Sequence, residues 1–208
     1  MNAFEKAIQI HIGCEALEKI QAVHVGIAGA GGLGSNCAVN LTRCGFRLFT
    51  IVDFDNVDFS NLNRQFFFNN QVGNPKVDML KENLLAVNPD LELNLFSRRI
   101  DEDNVNDFFD ACDIIVEAFD NVKDKKIIIE AYAGSEKLLV SVSGIAGWGK
   151  SDDIKIHRVG RNFFLIGDLV SEISPELPPT SPRVNIAAAK QADLILSHVL
   201  GANTKKTD

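Results

Sequence analysis

Short apolar runs alternate with amphipathic stretches along most of this chain. Across residues 3–20, Ile8, Ile12, Leu17 and Ile20 fall near one stripe with charges elsewhere, a spacing that predicts one helix. Residues 22–28, AVHVGIA, are apolar and rich in β-branched side chains, the pattern of a strand covered on both faces. A glycine cluster follows, then a predicted helix over about 33–44 with Gly45 as its stop. Residues 48–53 predict a second buried strand. The alternation then repeats. A helix over 75–87 opens on Pro75 and closes before Asn88-Pro89. After it come a strand over 91–96, a short helix over 101–110 with an acidic first turn, a strand over 113–116, a helix over 122–133 and a strand over 138–143. Such alternation with short joins predicts right-handed crossovers and an α/β fold, a mainly parallel sheet flanked by helices.

The pattern changes after Gly144. Residues 153–157 and 162–166 flank Gly160 and predict an antiparallel pair. The stretch 172–183 holds four of the six prolines and predicts an irregular crossover. A closing helix over 183–199 has Ile186, Ala189, Leu194, Ile195 and Val199 available for burial, and 201–208 reads as a polar tail. No repeat or low-complexity linker interrupts the chain. It therefore reads as a single domain over 1–208, with a nucleotide-binding part at about 22–143 and a C-terminal antiparallel extension at about 144–200.

Charge narrows the partners. Lys and Arg number 21 against 28 Asp and Glu, a net charge of −7, which argues against a nucleic-acid backbone as the main partner. It does not exclude a nucleotide, which a few local donors can hold. No apolar run reaches the length of a membrane span. The N-terminus carries Glu5, Glu15 and Glu18 and lacks the apolar stretch of a signal peptide, so a cytoplasmic location is expected. None of the four cysteines forms a CxxC pair, so no zinc is expected. Cys37 and Cys44 lie on one face of a predicted helix and are expected in the core.

Gly29, Gly31 and Gly34 form GxGxxG between a predicted strand and a predicted helix, with Gly32 inside the turn. Glycines there let the backbone approach phosphates while helix-start N–H groups face the anion, as in Rossmann-like sheets. Asp53, at the end of the next strand, is placed to accept hydrogen bonds from ribose hydroxyls. These features fit an NAD enzyme as well as an ATP enzyme. The segment 53–65, DFDNVDFSNLNRQ, followed by 73–76, GNPK, adds Asp55, Ser60, Asn61, Gln65 and two cations, Arg64 and Lys76. Two cations beside a glycine turn can neutralise a triphosphate and its departing pyrophosphate. Asp120 follows another apolar strand and offers the oxygen that a hard cation such as Mg²⁺ needs.

GAGGLGS, DFDNVDFSNLNRQ, VGNPK and EAFDN, in this order, resemble the ThiF, MoeB and HesA group and the adenylation domains of ubiquitin-activating enzymes. The resemblance implies a chain that binds ATP and Mg²⁺ and adenylylates the C-terminal glycine carboxylate of a small ubiquitin-like carrier, with release of pyrophosphate. It places the backbone of Gly32 on the nucleotide, Asp53 on the ribose, and Ser60, Asn61 and Arg64 along the phosphates. It places Lys76 on phosphate, Mg²⁺ on Asp120, and Asn121 beside the nucleotide. The tail 171–196, SEISPELPPTSPRVNIAAAKQADLIL, resembles short ThiF-type proteins of thiamine thiazole biosynthesis, implying a ThiS-like carrier ending in Gly-Gly, and the family resemblance implies a homodimer. Alternatives are a MoeB-like activator of a molybdopterin-synthase carrier, a tRNA-modification dehydratase of the same superfamily, and an NAD(P)-dependent oxidoreductase. The chain departs from larger relatives in three ways. It has no zinc-binding cysteine pairs, no cysteine in 162–168, and no arginine before Arg43, where Lys6 or Lys19 is the nearest substitute. Phe66, Phe67 and Phe68 suit either carrier docking or core packing, and Trp148, between two glycines, is expected to pack.

Overall fold

The computed structural model describes residues 1–201; residues 202–208, most of the polar tail expected from sequence, lie outside the described residues. Strands whose every position is apolar need cover on both faces, and the structure supplies it. A seven-stranded sheet has the order β3-β2-β1-β4-β5-β7-β6. The strands are β1 (His24–Ala28), β2 (Leu48–Val52), β3 (Glu92–Phe96), β4 (Ile114–Glu117), β5 (Leu138–Val142), β6 (Lys155–Arg158) and β7 (Phe163–Gly167). All neighbouring pairs are parallel except β6 with β7.

The helices are α1 (Ala3–Ile12), α2 (Cys14–Gln21), α3 (Gly32–Cys44), α4 (Lys76–Leu85), α5 (Val105–Phe109), α6 (Val122–Tyr132) and α7 (Ser181–Leu200). Alternate strand residues feed two cores. Val25, Ile27, Ile51 and Val140 join Ile20, Leu41, Leu84 and Ile195 on one face. Ala28, Val52, Ile115 and Leu139 join Phe109, Ile128 and Tyr132 on the other. Each fully buried Val, Leu, Ile or Phe among them stabilises the fold by about 1.5–3 kcal/mol over an exposed one.

The sheet order reverses between β1 and β4, and in open α/β sheets that reversal opens a crevice at the strand C-terminal ends. Two expectations change. The N-terminal helix is two helices, because Gly13 takes φ 88 and ends α1 after Ile12. The helix expected at 101–110 shrinks to α5, because Asp101 Oδ1 accepts the N–H groups of Asp103 and Asn104 and so holds that stretch as a turn. The expected antiparallel pair is present as β6 with β7, and β7 also joins the main sheet by pairing parallel with β5.

The segment between β5 and α7 is fastened to α7 by one buried arginine. Arg183, 4% exposed, donates from Nη1 to the Gly149 and Lys150 carbonyls at 2.9 and 3.3 Å and from Nη2 to Asp168 Oδ2 at 2.5 Å. Asp168 Oδ1 accepts the N–H groups of Val170 and Ser171. Burial pushes the Asp168 carboxyl up, but the N–H groups of Ser171 and Val170, the Ser171 hydroxyl and Arg183 together hold it below the usual carboxylate range. A depressed folded-state pKa stabilises above the unfolded value and loses that contribution as pH falls through the folded one. Acid unfolding of the wild type is therefore expected to steepen below about pH 4. Asp168→Asn should flatten that part of a Tm-against-pH curve; an unchanged slope would remove Asp168 as its source.

Candidate active site

The glycine turn is held from both sides. Gly29, at φ 100, donates its N–H to the Val52 carbonyl at the end of β2. Ala30 N–H donates to Asp53 Oδ2 at 2.6 Å, and Asp55 N–H to Asp53 Oδ1 at 2.8 Å. Asp53 thus ties the turn to the loop after β2 and keeps lone pairs for further donors. Burial raises its pKa, opposed by nearby Lys76 and the two N–H groups. Helix α3 starts at Gly31 with no side-chain cap, so first-turn N–H groups lie at its positive end without a protein side chain.

The loop after β2 is fastened to that helix start. Asn36 Nδ2 donates to the Gly32 carbonyl at 2.7 Å and to the Arg64 carbonyl at 2.9 Å. Ser35 Oγ accepts Phe66 N–H at 3.0 Å. A Cβ on Gly32 would come within 3.0 Å of Val184 Cγ1 and so needs that side chain to give way, whereas one on Gly31 would meet Gln65 Nε2 at an ordinary 3.7 Å. The Arg64 guanidinium rests on the Ser60 carbonyl and Asn63 Oδ1, at 3.0 and 2.8 Å. Lys76 opens α4, is 5% exposed, and pairs with Asp55 Oδ2 at 2.7 Å. An ammonium has three donors, so this pair leaves Lys76 capacity for a phosphate.

The end of β4 closes the crevice. A Cβ on Gly29 would lie 3.1 Å from the Ala118 carbonyl oxygen and 3.2 Å from the Phe119 ring. Asp120 follows, exposed and without a hydrogen bond or ion pair among the described residues. Asn121 is the N-cap of α6, accepting Asp124 N–H at 2.8 Å.

Gly29, Gly31, Gly32, Gly34, Asp53, Asp55, Arg64, Gln65 and Lys76 therefore gather around one turn, with Asp120 and Asn121 on the adjoining loop. Ser60 and Asn61 lie beside Arg64 through their carbonyls, and their side chains engage Asp58. Ser60 Oγ donates to Asp58 Oδ1, and Asn61 Oδ1 accepts Asp58 N–H, capping the short turn Phe59–Asn61.

Several neighbours escape a sequence reading. Phe54, 48% exposed, lies under the Arg99 guanidinium at 5.4 Å, and Arg99 reaches Asp124 Oδ1 at 3.7 Å. Glu117, wholly buried, pairs with Lys125 of α6. Only the apolar company of Glu117 in its strand hints at burial. Trp148 is 68% exposed, so the expected packing does not occur; Gly147 and Gly149 on either side carry positive φ and turn the chain outward. Phe67 is buried, whereas Phe68 is exposed and meets Phe66 edge-on at 5.7 Å.

All four thiols sit above the ordinary cysteine range, Cys37, Cys44 and Cys112 through burial and Cys14 through its hydrogen bond to Glu18. None is a ready thiolate. Among the described residues no group of three or more His, Cys, Asp or Glu is arranged to hold a metal, and no helix is long and apolar enough to cross a membrane. A lone exposed carboxylate such as Asp120 still suits Mg²⁺ carried on a nucleotide, because Mg²⁺ takes one or two carboxylates and fills its shell with phosphates and water.

A sequence profile described as the ThiF family matches residues 5–197. The chain belongs to the ThiF family. This ThiF-family chain is 31% identical over 145 residues to a tRNA threonylcarbamoyladenosine dehydratase of Haemophilus influenzae, an alignment covering 69% of this chain and 55% of the relative. It is 32% identical over 119 residues to a probable molybdopterin-synthase adenylyltransferase of Gracilaria tenuistipitata var. liui, covering 57% of this chain and 34% of the relative. It thus spans about half, or less, of the length of these curated relatives. The ATP-bound crystal structure of E. coli tRNA N6-threonylcarbamoyladenosine dehydratase has the same fold, with a TM-score of 0.86 at 19% identity over 94% of this chain and 93% of that one.

Proposed function

We propose that this chain uses ATP to adenylylate a carboxylate, releasing pyrophosphate. The observation that carries the reading is the convergence of three strand ends: an uncapped glycine turn after β1, Asp53 and buried Lys76 after β2, and unpartnered Asp120 after β4. The attacking group is already an anion, so no general base is required. The chain's work is to align two anions and screen their repulsion. N–H groups at the start of α3 would face phosphate oxygens, and Asp53 would accept from the ribose. Arg64 and Lys76 would stabilise charge on the departing pyrophosphate. Asp120 would hold Mg²⁺, which supplies further charge neutralisation when bound.

For the acceptor, the relatives favour the pair formed by a molybdopterin-type carrier and a tRNA nucleoside over a thiamine-pathway carrier. The net charge of −7 and the exposed Trp148, Leu169, Val170 and Ile173 in the segment after β5 favour a ubiquitin-like carrier over RNA. The second reading, a tRNA dehydratase, draws on the fold shared over nearly the whole chain and on exposed Arg98, Arg99 and Lys123 near the strand ends.

ATP–pyrophosphate exchange tests both. Exchange is expected with a Gly-Gly-ended carrier and to fall by about 10²-fold or more in Asp120→Asn. Exchange driven by tRNA alone would move the assignment to the second reading. Tighter binding of NAD than of Mg-ATP would support an oxidoreductase and sink the adenylylation reading.

A further inference from the structure

Asp120 has no side-chain partner among the described residues, so the backbone of 118–121 alone sets where it points. That backbone is pinned at both ends. On the strand side, Ala118 N–H donates to the Ala28 carbonyl at 2.9 Å, and Phe119 N–H donates to Glu117 Oε1 at 2.7 Å. On the helix side, Asn121 caps α6 through Asp124, accepting its N–H and donating to its Oδ2 at 2.7 Å. One ion pair joins the two ends: Lys125 Nζ reaches Glu117 Oε1 and Oε2 at 3.1 and 2.9 Å. Ser141 Oγ of β5 also donates to Oε2.

Glu117 is 0% exposed, and a buried carboxylate is costly unless its acceptor sites are filled. Here a backbone N–H, an ammonium and a hydroxyl fill them. Burial alone would be served better by an apolar residue, as at Val116 beside it. What the carboxylate adds is a rigid tie between the end of β4 and the first turns of α6, with the Asp120 turn spanning the gap.

We infer that Glu117, clamped by Lys125, is a positioning residue that fixes Asp120 in the orientation needed to hold a nucleotide-bound divalent cation. The inference rests on the reading of Asp120 given above. Partners that orient a metal-binding carboxylate from behind typically change metal affinity by about 10–100-fold when removed. Glu117→Gln keeps an acceptor for Phe119 N–H but sets an amide NH₂ against the Lys125 ammonium. Lys125→Met removes the clamp from the helix side at a partly exposed position. Ser141→Ala deletes a partner that does not touch the loop.

The test is calorimetric titration of the full chain with ATP in Mg²⁺ and again in EDTA, with Tm recorded for each variant. Glu117→Gln and Lys125→Met are each expected to lose about tenfold or more of the Mg²⁺-dependent part of ATP affinity. Affinity in EDTA should change by less than about twofold, since the glycine turn and Lys76 are untouched. Ser141→Ala, which removes one of the groups that satisfy Glu117, should lose less than either Glu117→Gln or Lys125→Met, and Lys126→Ala, at an exposed pair with Glu130, should match the wild type in both titrations. Should Glu117→Gln fail to fold, Lys125→Met carries the test. A wild type whose ATP affinity ignores Mg²⁺ overturns the Asp120 assignment and this inference with it. A wild type that depends on Mg²⁺, with both variants unchanged or weakened equally in EDTA, overturns the positioning role alone.

Discussion

Replacing Lys76 with methionine is expected to reduce ATP–pyrophosphate exchange by about 10²–10³-fold while leaving a folded protein, the size of loss seen when one preorganised donor is removed. The fold should survive because methionine keeps most of the stem volume of Lys76 at this 5% exposed position. Its partner Asp55 is 48% exposed and is left solvated. The loss has a second, pH-dependent part. Burial already raises the Asp53 pKa, and Lys76 is the main influence opposing it. Without Lys76 the carboxyl rises further, so its protonation sets in at a higher pH than in the wild type. Residual exchange in Lys76→Met should therefore climb with pH over a range displaced upward from the wild type. Exchange profiles from about pH 5 to about pH 9, paired with melting curves, measure both parts. Near-wild-type exchange would show that Lys76 serves only the Asp55 pair.

Gly34→Ala is expected to lose more than about 3 kcal/mol of stability and all measurable ATP binding. Overpacking a tight site costs about 1–3 kcal/mol and more where backbone must move. A Cβ at Gly34 would overlap the Gly29 carbonyl oxygen, so α3 could not start where it does without reopening the turn. Gly31→Ala is the contrasting case, since a Cβ there meets only Gln65 Nε2 at ordinary contact distance. It should change stability by about 1 kcal/mol or less. Urea unfolding of both variants separates close helix–strand packing from general glycine flexibility, and equal stabilities would refute the distinction.

The strand–helix alternation was legible because central parallel strands read as unbroken apolar runs, as in 25–28 and 114–116. The glycine turn was legible because close backbone approach leaves glycine as the workable residue. The break at Gly13 was not, because the apolar stripe continues across it and one glycine inside a helical pattern is ambiguous. The pairing of β7 with β5 joins residues far apart in sequence, and nothing local encodes it. Arg64, Lys76 and Asp53 announced themselves as charges at strand ends. Glu117 did not, because an acid closing a strand normally faces water, and its counter-charge, Lys125, lies on the following helix. Ser60 and Asn61 are residues common in turns, and here their side chains cap the turn through Asp58.

The outer border of the sheet has its own meaning. Strand β6 runs against its neighbour and turns Lys155 and Arg158 to solvent, with exposed Ile156 and half-buried His157 between them. A cationic rim of this sort repels a second copy that would dock there by backbone zippering, a common defence against fibril growth. Strand-to-strand association through that margin is thereby discouraged, which leaves β3 as the other edge of the sheet.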